Sequence, residues 1–169
     1  MTIEKADRSN FSENALDTFD RFQTVTQVYR LRNGQLMTEA NPFTEDWSQE
    51  RKREKAAEIL SGKYITFCAF EDGAAVGEIM LVPEPDKERM IVDSFHVSRE
   101  HRRQGIGRKL FEEARNEAKA RGARALYISA CSARETVDFY LAMGCRPSPD
   151  PIPAYAEEEP WDIQMEAEL

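Results

Sequence analysis

Between residues 64 and 97 the chain reads as three β runs, and from residue 105 the apolar period becomes helical. Residues 64–70 and 75–82 flank the turn pair Asp72-Gly73, and Pro83 and Pro85 close the second run. Residues 89–97 form the third run. Strand alternation puts Ile91, Asp93, Phe95 and Val97 on one parity, with Val92, Ser94 and His96 on the other. Ile106, Leu110, Phe111, Ala114 and Ala118 then recur at helical spacing, and Gly122 ends that helix. A short apolar strand over 124–130 precedes a helix over 133–143 that stops at Gly144. Cys145 starts a short strand. A proline-rich stretch then leads to a last strand over 162–168. A meander followed by strand–helix units makes a mixed α/β (α+β) architecture with a partly antiparallel sheet.

The first third is written differently. Ser12 is placed to cap a helix over 13–22, with Leu16, Phe19 and Phe22 on one face. Thr24 to Leu31 is rich in β-branched residues, and Asn33-Gly34 before Gln35-Leu36-Met37 is a hairpin signal. A helix continued through Val28 is the alternative. Pro42 is expected to break the chain, and a helix over 46–60 to end at Gly62. The 169 residues suit one domain. Residues 1–62 form a helical and hairpin segment, and residues 63–169 the main body.

Composition excludes several function classes. Twenty-three Lys and Arg against 31 Asp and Glu leave a net charge of -8, which opposes nucleic acid and anionic membranes. No apolar run approaches a membrane span of roughly 18 residues, and the polar start of the chain does not resemble a signal peptide. Cys68, Cys131 and Cys145 lack disulfide-framework or metal-ligand spacing, so reduced thiols in a cytoplasmic protein and no metal are expected.

The most informative segment is Arg102-Arg103-Gln104-Gly105-Ile106-Gly107, between a strand and a helix. Free N–H groups at a helix start attract anions, and glycine lets a phosphate approach the backbone. Arg108 adds a further cation. A dinucleotide fingerprint needs a third glycine where Leu110 stands, and a nucleotide P-loop needs Gly-Lys-Ser/Thr where Gly107-Arg108-Lys109 stands. A phosphate cradle and an ordinary glycine-containing turn remain the two readings. Tyr140, in Phe139-Tyr140-Leu141-Ala142-Met143-Gly144-Cys145, taken alone is a core aromatic.

Together these residues resemble the GCN5-related N-acetyltransferase superfamily. Its coenzyme A loop, Arg/Gln-x-x-Gly-x-Gly/Ala, is matched by Arg102, Gly105 and Gly107. Its Phe-Tyr-x-x-x-Gly-Phe-like motif is matched by Phe139, Tyr140 and Gly144, with Cys145 in the last place. The resemblance is strongest over 89–145. One departure is Ala133, where many members carry an asparagine; Ser132 beside it is the candidate substitute.

The resemblance implies a mostly antiparallel sheet with helices on both faces, splayed between strands ending near Val97 and Ala130. It implies acetyl-CoA as co-substrate, with the pyrophosphate on the amides of Arg103, Gln104, Gly105, Ile106, Gly107 and Arg108. The pantetheine arm would pair along Phe95, His96 and Val97. The implied activity is acetyl transfer to a primary amine of a small molecule or peptide by direct attack in a ternary complex. Transfer of another acyl group, or a non-catalytic acyl-CoA sensor, are the alternatives. A homodimer is common in the family. Tyr140 matches the general acid. An amine with a pKa of about 10.4 costs about 4.6 kcal/mol to neutralise at pH 7, so a base is needed. The candidates are Asp93 first, as an acid inside an apolar strand, then Glu78 and His96. The acceptor site would come from residues 11–60 and the loop 147–161.

Overall fold

A computed structural model describes residues 1–169. Nine strands and four α-helices run in the order β1 (Thr2–Lys5), β2 (Gln23–Arg32), β3 (Gln35–Glu45), α1 (Gln49–Leu60), β4 (Ile65–Glu71), β5 (Ala74–Leu81) and β6 (Arg89–Val97). Then follow α2 (Ile106–Ala120), β7 (Ala125–Ala130), α3 (Arg134–Ala142), β8 (Arg146–Pro147), α4 (Pro153–Glu158) and β9 (Ile163–Glu168). Seven strands form one sheet in the order β1-β4-β5-β6-β7-β9-β8, and β2 and β3 form a separate hairpin. Only β6 and β7 pair in parallel. That pairing runs from Arg89–Ala125 to Val92–Ile128 and stops, so beyond Val92 the two strands part. The expected fold class and its split are therefore present.

Each face of the sheet has its own cover. On one, α2 and α3 bury Ile106, Leu110, Phe111, Val137 and Tyr140 against Ile79, Leu81, Val92 and Ile128. On the other, α1 and the coil between β1 and β2 bury Phe11, Leu16, Phe19, Ala56 and Ile59 against Cys68, Ala75 and Met80. A small third cluster joins the hairpin's Val25 and Val28 to Ala133. No helix is long and apolar enough to cross a membrane.

The structure corrects the sequence reading at several points. Residues 13–18 are turns rather than a helix. Their bonds are of the i→i+3 kind, such as Phe19 N–H to Leu16 O, and the Ala15 carbonyl accepts the Ala75 N–H of β5 instead of a helical partner. Pro42 does not break the chain. It lies inside β3, where the register slips between Val25–Phe43 and Gln27–Ala40, and a bulge accommodates a residue without an N–H. The helix expected from residue 46 starts at Gln49, because Ser48 Oγ accepts the Arg51 N–H and caps it. The polar N-terminus holds an unforeseen edge strand, β1, and the proline-rich stretch holds α4 with Pro153 in its first turn.

One further correction bears on the site. The two parities expected along β6 exchange at Asp93. Val92 pairs with Leu81 and Ser94 with Met80, which leaves Asp93 as the extra residue of a bulge. Met90, Val92, Phe95 and Val97 consequently share the α2 face, while Ser94 and His96 share the α1 face with Glu78 and Met80.

Candidate active site

The split opens the edge of β6 just before the 102–107 loop. The Ser98 N–H bonds Val76 O of β5, so strand alternation turns the N–H groups of Val97 and Phe95 away from β5, toward the split. Past a 3-10 turn (Arg99–His101), the loop takes left-handed backbone at Arg103 (φ 60) and Gly105 (φ 83) before α2 begins. Such geometry turns successive N–H groups inward as an anion-binding concavity. None of the N–H groups of Arg103 to Arg108 has an acceptor within the chain. Six donors at the start of a fifteen-residue helix anchored by buried Ile106, Leu110 and Phe111 fit a pyrophosphate. A Cβ at Gly107 would stand 3.4 Å from the Phe139 ring, an ordinary packing distance, so this turn lies directly against the aromatic wall.

The side chains of the loop divide the work. Arg103, Arg108 and Lys109 are exposed. Arg102 instead donates Nε to Val97 O at 2.9 Å, and its two Nη groups to Phe22 O at 2.9 Å and Arg21 O at 3.0 Å. It ties the loop to the entrance of β2. Gln104 folds back onto Glu100 O at 2.7 Å.

Tyr140 reaches the split from the α3 face. Its ring packs against Phe95, Phe111 and Phe139, with centroids 6.2, 6.1 and 5.5 Å away. The residue is 5% exposed and its hydroxyl makes no hydrogen bond within the chain. Burial pushes the phenol well above its ordinary value, with the charges of Glu78 and Asp162 adding to the effect. It therefore holds its proton at neutral pH.

On the other face, Glu78 is fully buried. Its Oε1 lies 2.7 Å from His96 Nδ1 and accepts the Ser94 hydroxyl at 2.8 Å, while Oε2 has no partner. Trp47 sets its edge against the His96 ring, centroids 4.7 Å apart. Burial lowers the His96 pKa more than Glu78 raises it, so the imidazole is neutral at pH 7. With the carboxylate beside Nδ1, the proton sits on Nδ1 and Nε2 is the free acceptor. Asp93 stands apart from this pair, at the exposed bulge. Partial burial raises its pKa, and Lys55 and Glu58 are its main charged neighbours.

Ser132 is turned toward the hairpin. Its carbonyl accepts the Tyr29 N–H at 2.8 Å and its hydroxyl accepts Arg30 Nη1 at 3.3 Å. Ala133 pairs with Val28 and is fully buried. All three cysteines are free thiols, and burial raises each one's pKa, that of Cys145 to about 12.

Several polar residues at the site were not singled out by sequence. Lys55 is buried and pairs with Glu58 Oε2 at 2.6 Å. Arg21 pairs with Glu45 Oε2 at 2.6 Å. Asp162 accepts the Ser129 hydroxyl at 3.2 Å at the lip of β7, and burial raises its pKa to about 6. The Arg21 and Asp162 contacts join residues more than 20 positions apart, so no local pattern marks them, whereas the Lys55–Glu58 pair is an i,i+3 contact within α1 whose burial alone is not local.

The model of the Acetyltransferase (GNAT) family matches residues 29–145. No curated protein sequence matches the chain. Among solved structures, nourseothricin acetyltransferase superposes with a TM-score of 0.74 at 20% identity, covering 99% of this chain and 97% of that one. A provisionally assigned streptothricin acetyltransferase from Bacillus anthracis str. Ames, in complex with acetyl coenzyme A, gives 0.75 at 16% identity, covering 99% and 98%. An aminoglycoside 6'-N-acetyltransferase complexed with coenzyme A gives 0.65 at 18%, covering 99% and 97%.

Proposed function

The chain belongs to the acetyltransferase (GNAT) family and uses acetyl-CoA as co-substrate, and from that premise we propose an N-acetyltransferase acting by direct attack on a primary amine of a small molecule or peptide. The observation that carries this reading is the pairing of groups across the split. A protonated phenol stands on one face, and a neutral imidazole backed by a buried carboxylate stands on the other. The fold is shared with a nourseothricin acetyltransferase and an aminoglycoside 6'-N-acetyltransferase, which supports an amine acceptor here.

Bound acetyl-CoA supplies an activated acyl thioester and a thiol leaving group. The amides of residues 103–108 hold its pyrophosphate, and the open edge at Phe95 and Val97 receives its arm as an added strand. The Val97 N–H then faces the carbonyl oxygen where charge develops during attack. Val97 O is already engaged by Arg102, which fixes this end of the strand.

His96 Nε2 takes the proton of the attacking amine, and Glu78 stabilises the imidazolium that results. Glu78 is preferred to Asp93 because it is hydrogen-bonded to the imidazole and its charge acts on the Tyr140 phenol. Tyr140 donates its proton to the departing sulfur. Its hydroxyl has no competing partner, and the aromatic wall of Phe95, Phe111 and Phe139 keeps water from replacing it as donor. Amine attack thus proceeds from the α1 face and protonation of sulfur from the α3 face.

Thiol release from acetyl-CoA, measured against a panel of primary amines, tests the proposal. Amine-dependent release with one acetylated product per thiol is expected. Tight acetyl-CoA binding without release on any amine would convert the protein into an acyl-CoA sensor.

A further inference from the structure

The bank of the split built by β7 and β9 carries a polar chain that acyl transfer does not use. The Ile152 N–H donates to the Tyr127 hydroxyl at 2.9 Å, and that hydroxyl donates to Gln164 Oε1 at 2.5 Å. Gln164 Nε2 donates to Ser129 Oγ at 2.8 Å, and the Ser129 hydroxyl donates to Asp162 Oδ2 at 3.2 Å. Every donor points the same way, and the chain ends on a carboxylate. Tyr127 is fully buried and Gln164 nearly so. A buried polar chain of this kind rigidifies what it holds when each member is satisfied. It fixes Asp162 while leaving Oδ1 without a partner, and no lysine or arginine of the chain forms an ion pair with this residue.

The placement of Asp162 complements that of Glu78. Asp162 immediately precedes Ile163, which pairs with Ala130 at the mouth of the split. Ile163, Met165 and Ala167 face the α2 side, so alternation puts Asp162 and Gln164 on the opposite face, the one holding Glu78 and His96. The two carboxylates therefore stand on opposite banks of one cleft, and the charges of both reach Tyr140. The groups around Asp162 add negative potential: Glu159 comes from the turn after α4 and Glu45 from β3. Arg21 is engaged by Glu45, and Cys131, which senses Glu45, Asp162 and Arg21, is held neutral.

Resting on the amine-transfer reading above, we infer that Asp162 selects the acceptor by binding a second ammonium group, so that the substrate is a diamine or polyamine-like cation. The reacting amine meets His96 on one bank while the second cation meets Asp162 on the other. Ser129, Gln164 and Tyr127 are positioning residues that aim the carboxylate. The attacking nitrogen must be neutral and the second nitrogen charged, which is why the two banks differ: a proton acceptor on one side, an unpaired carboxylate on the other.

The test compares 1,4-diaminobutane and spermidine with 1-aminobutane in the thiol-release assay. The wild type should favour the diamines in kcat/KM by about 10- to 100-fold, the value of one charge-assisted hydrogen bond. Asp162→Asn should abolish that ratio, and Asp162→Glu should restore part of it. The diamine KM should rise as pH falls through about 6, where Asp162 takes up a proton. Ser129→Ala removes a hydrogen bond that lowers this value, so the limb should move upward in pH. A role of Ser129 in folding alone would leave the limb in place.

A stability measurement guards against misfolding. A carboxyl whose folded pKa is raised stabilises the fold at low pH, and that contribution is lost as pH rises through about 6. Asp162→Asn should therefore raise the Tm at pH 8 while abolishing the diamine preference. An unchanged ratio in Asp162→Asn, or equal use of all three amines by the wild type, overturns the inference. No turnover of any diamine with acetyl-CoA still bound calorimetrically overturns the substrate class and leaves the family reading standing. Absence of acetyl-CoA binding overturns the reading beneath it.

Discussion

The two halves of this cleft are made of different material. The cofactor half, from the open edge of β6 to the first turn of α2, presents main chain: unbonded N–H groups set by left-handed backbone at Arg103 and Gly105. The half proposed to take the acceptor presents side chains drawn from β5, β6, β7 and the turn before β9, namely Glu78, His96, Ser129 and Asp162. A main-chain site depends on φ and ψ and tolerates many side chains. A side-chain site depends on register, and one slip would send each of its groups to the other face. Arg102 joins the halves, since one guanidinium binds Val97 O on the cofactor side and the Arg21 and Phe22 carbonyls on the acceptor side.

The sharpest break comes at Tyr140, the one side chain to which the proposed mechanism assigns chemistry in the cofactor half. Tyr140→Phe keeps the ring packing and removes only a hydroxyl without a partner, so folding and acetyl-CoA affinity should hold. Turnover should fall by about 10²-fold or more, the typical contribution of a positioned acid. Single-turnover thiol release checks this, and wild-type turnover would remove the phenol from the mechanism.

Glu78→Gln attacks the acceptor half. His96 persists as a weaker base, so a loss of about 10- to 100-fold is expected. The pH dependence is more diagnostic. Glu78 raises the His96 pKa against the lowering effect of burial. Without that carboxylate the imidazole should titrate lower, and the acid limb of kcat should move to lower pH. A limb that stays in place would assign it to another group.

The contrast between the halves also explains what the sequence made legible. The loop 102–107 and the Phe139-Tyr140 pair are contiguous signals, and so are the alternating strands from β4 to β9. Glu78 and His96 are legible only as separate candidates, because their contact depends on the β5–β6 register 18 residues apart, which no local residue announces. Asp93 is an acid in an apolar strand, and the bulge is what lets it face out. The failures at the N-terminus share one cause. Leu16, Phe19 and their neighbours satisfy a helical spacing, yet tertiary contacts and the Ala15–Ala75 bond hold them as turns. β1 has an almost wholly exposed pattern, so it carries no alternation to read.

A smaller effect separates backbone from side chain on the cofactor side. Gly105 has φ 83 and nothing within 4 Å of where a Cβ would stand, so Gly105→Ala tests conformation without adding a clash. A left-handed alanine costs about 1–2 kcal/mol. The loop should relax to avoid that cost and lose about tenfold in acetyl-CoA affinity, read by calorimetry. Arg103→Ala removes a charge but keeps the N–H, and its loss should be smaller and should shrink as salt is added. The reverse ranking would make the loop a side-chain site after all.

The smallest expected effect on catalysis lies at Ala133, where the family's frequent asparagine is missing. Ala133 is fully buried between Val25 and Val28 of the hairpin, and the Ser132 carbonyl next to it accepts the Tyr29 N–H. Here the hairpin occupies the helix start and packs Val25 and Val28 against position 133, an apolar setting that suits alanine. Ala133→Asn would place an amide among valines with no partner in view, at a cost of about 1–3 kcal/mol. The Tm should drop by several degrees, acetyl-CoA affinity should change by less than about twofold, and the acceptor KM should rise as the hairpin loosens. If the asparagine instead tightened acetyl-CoA binding at no cost in Tm, position 133 would belong to the cofactor half, and the hairpin would not be what dictates its residue.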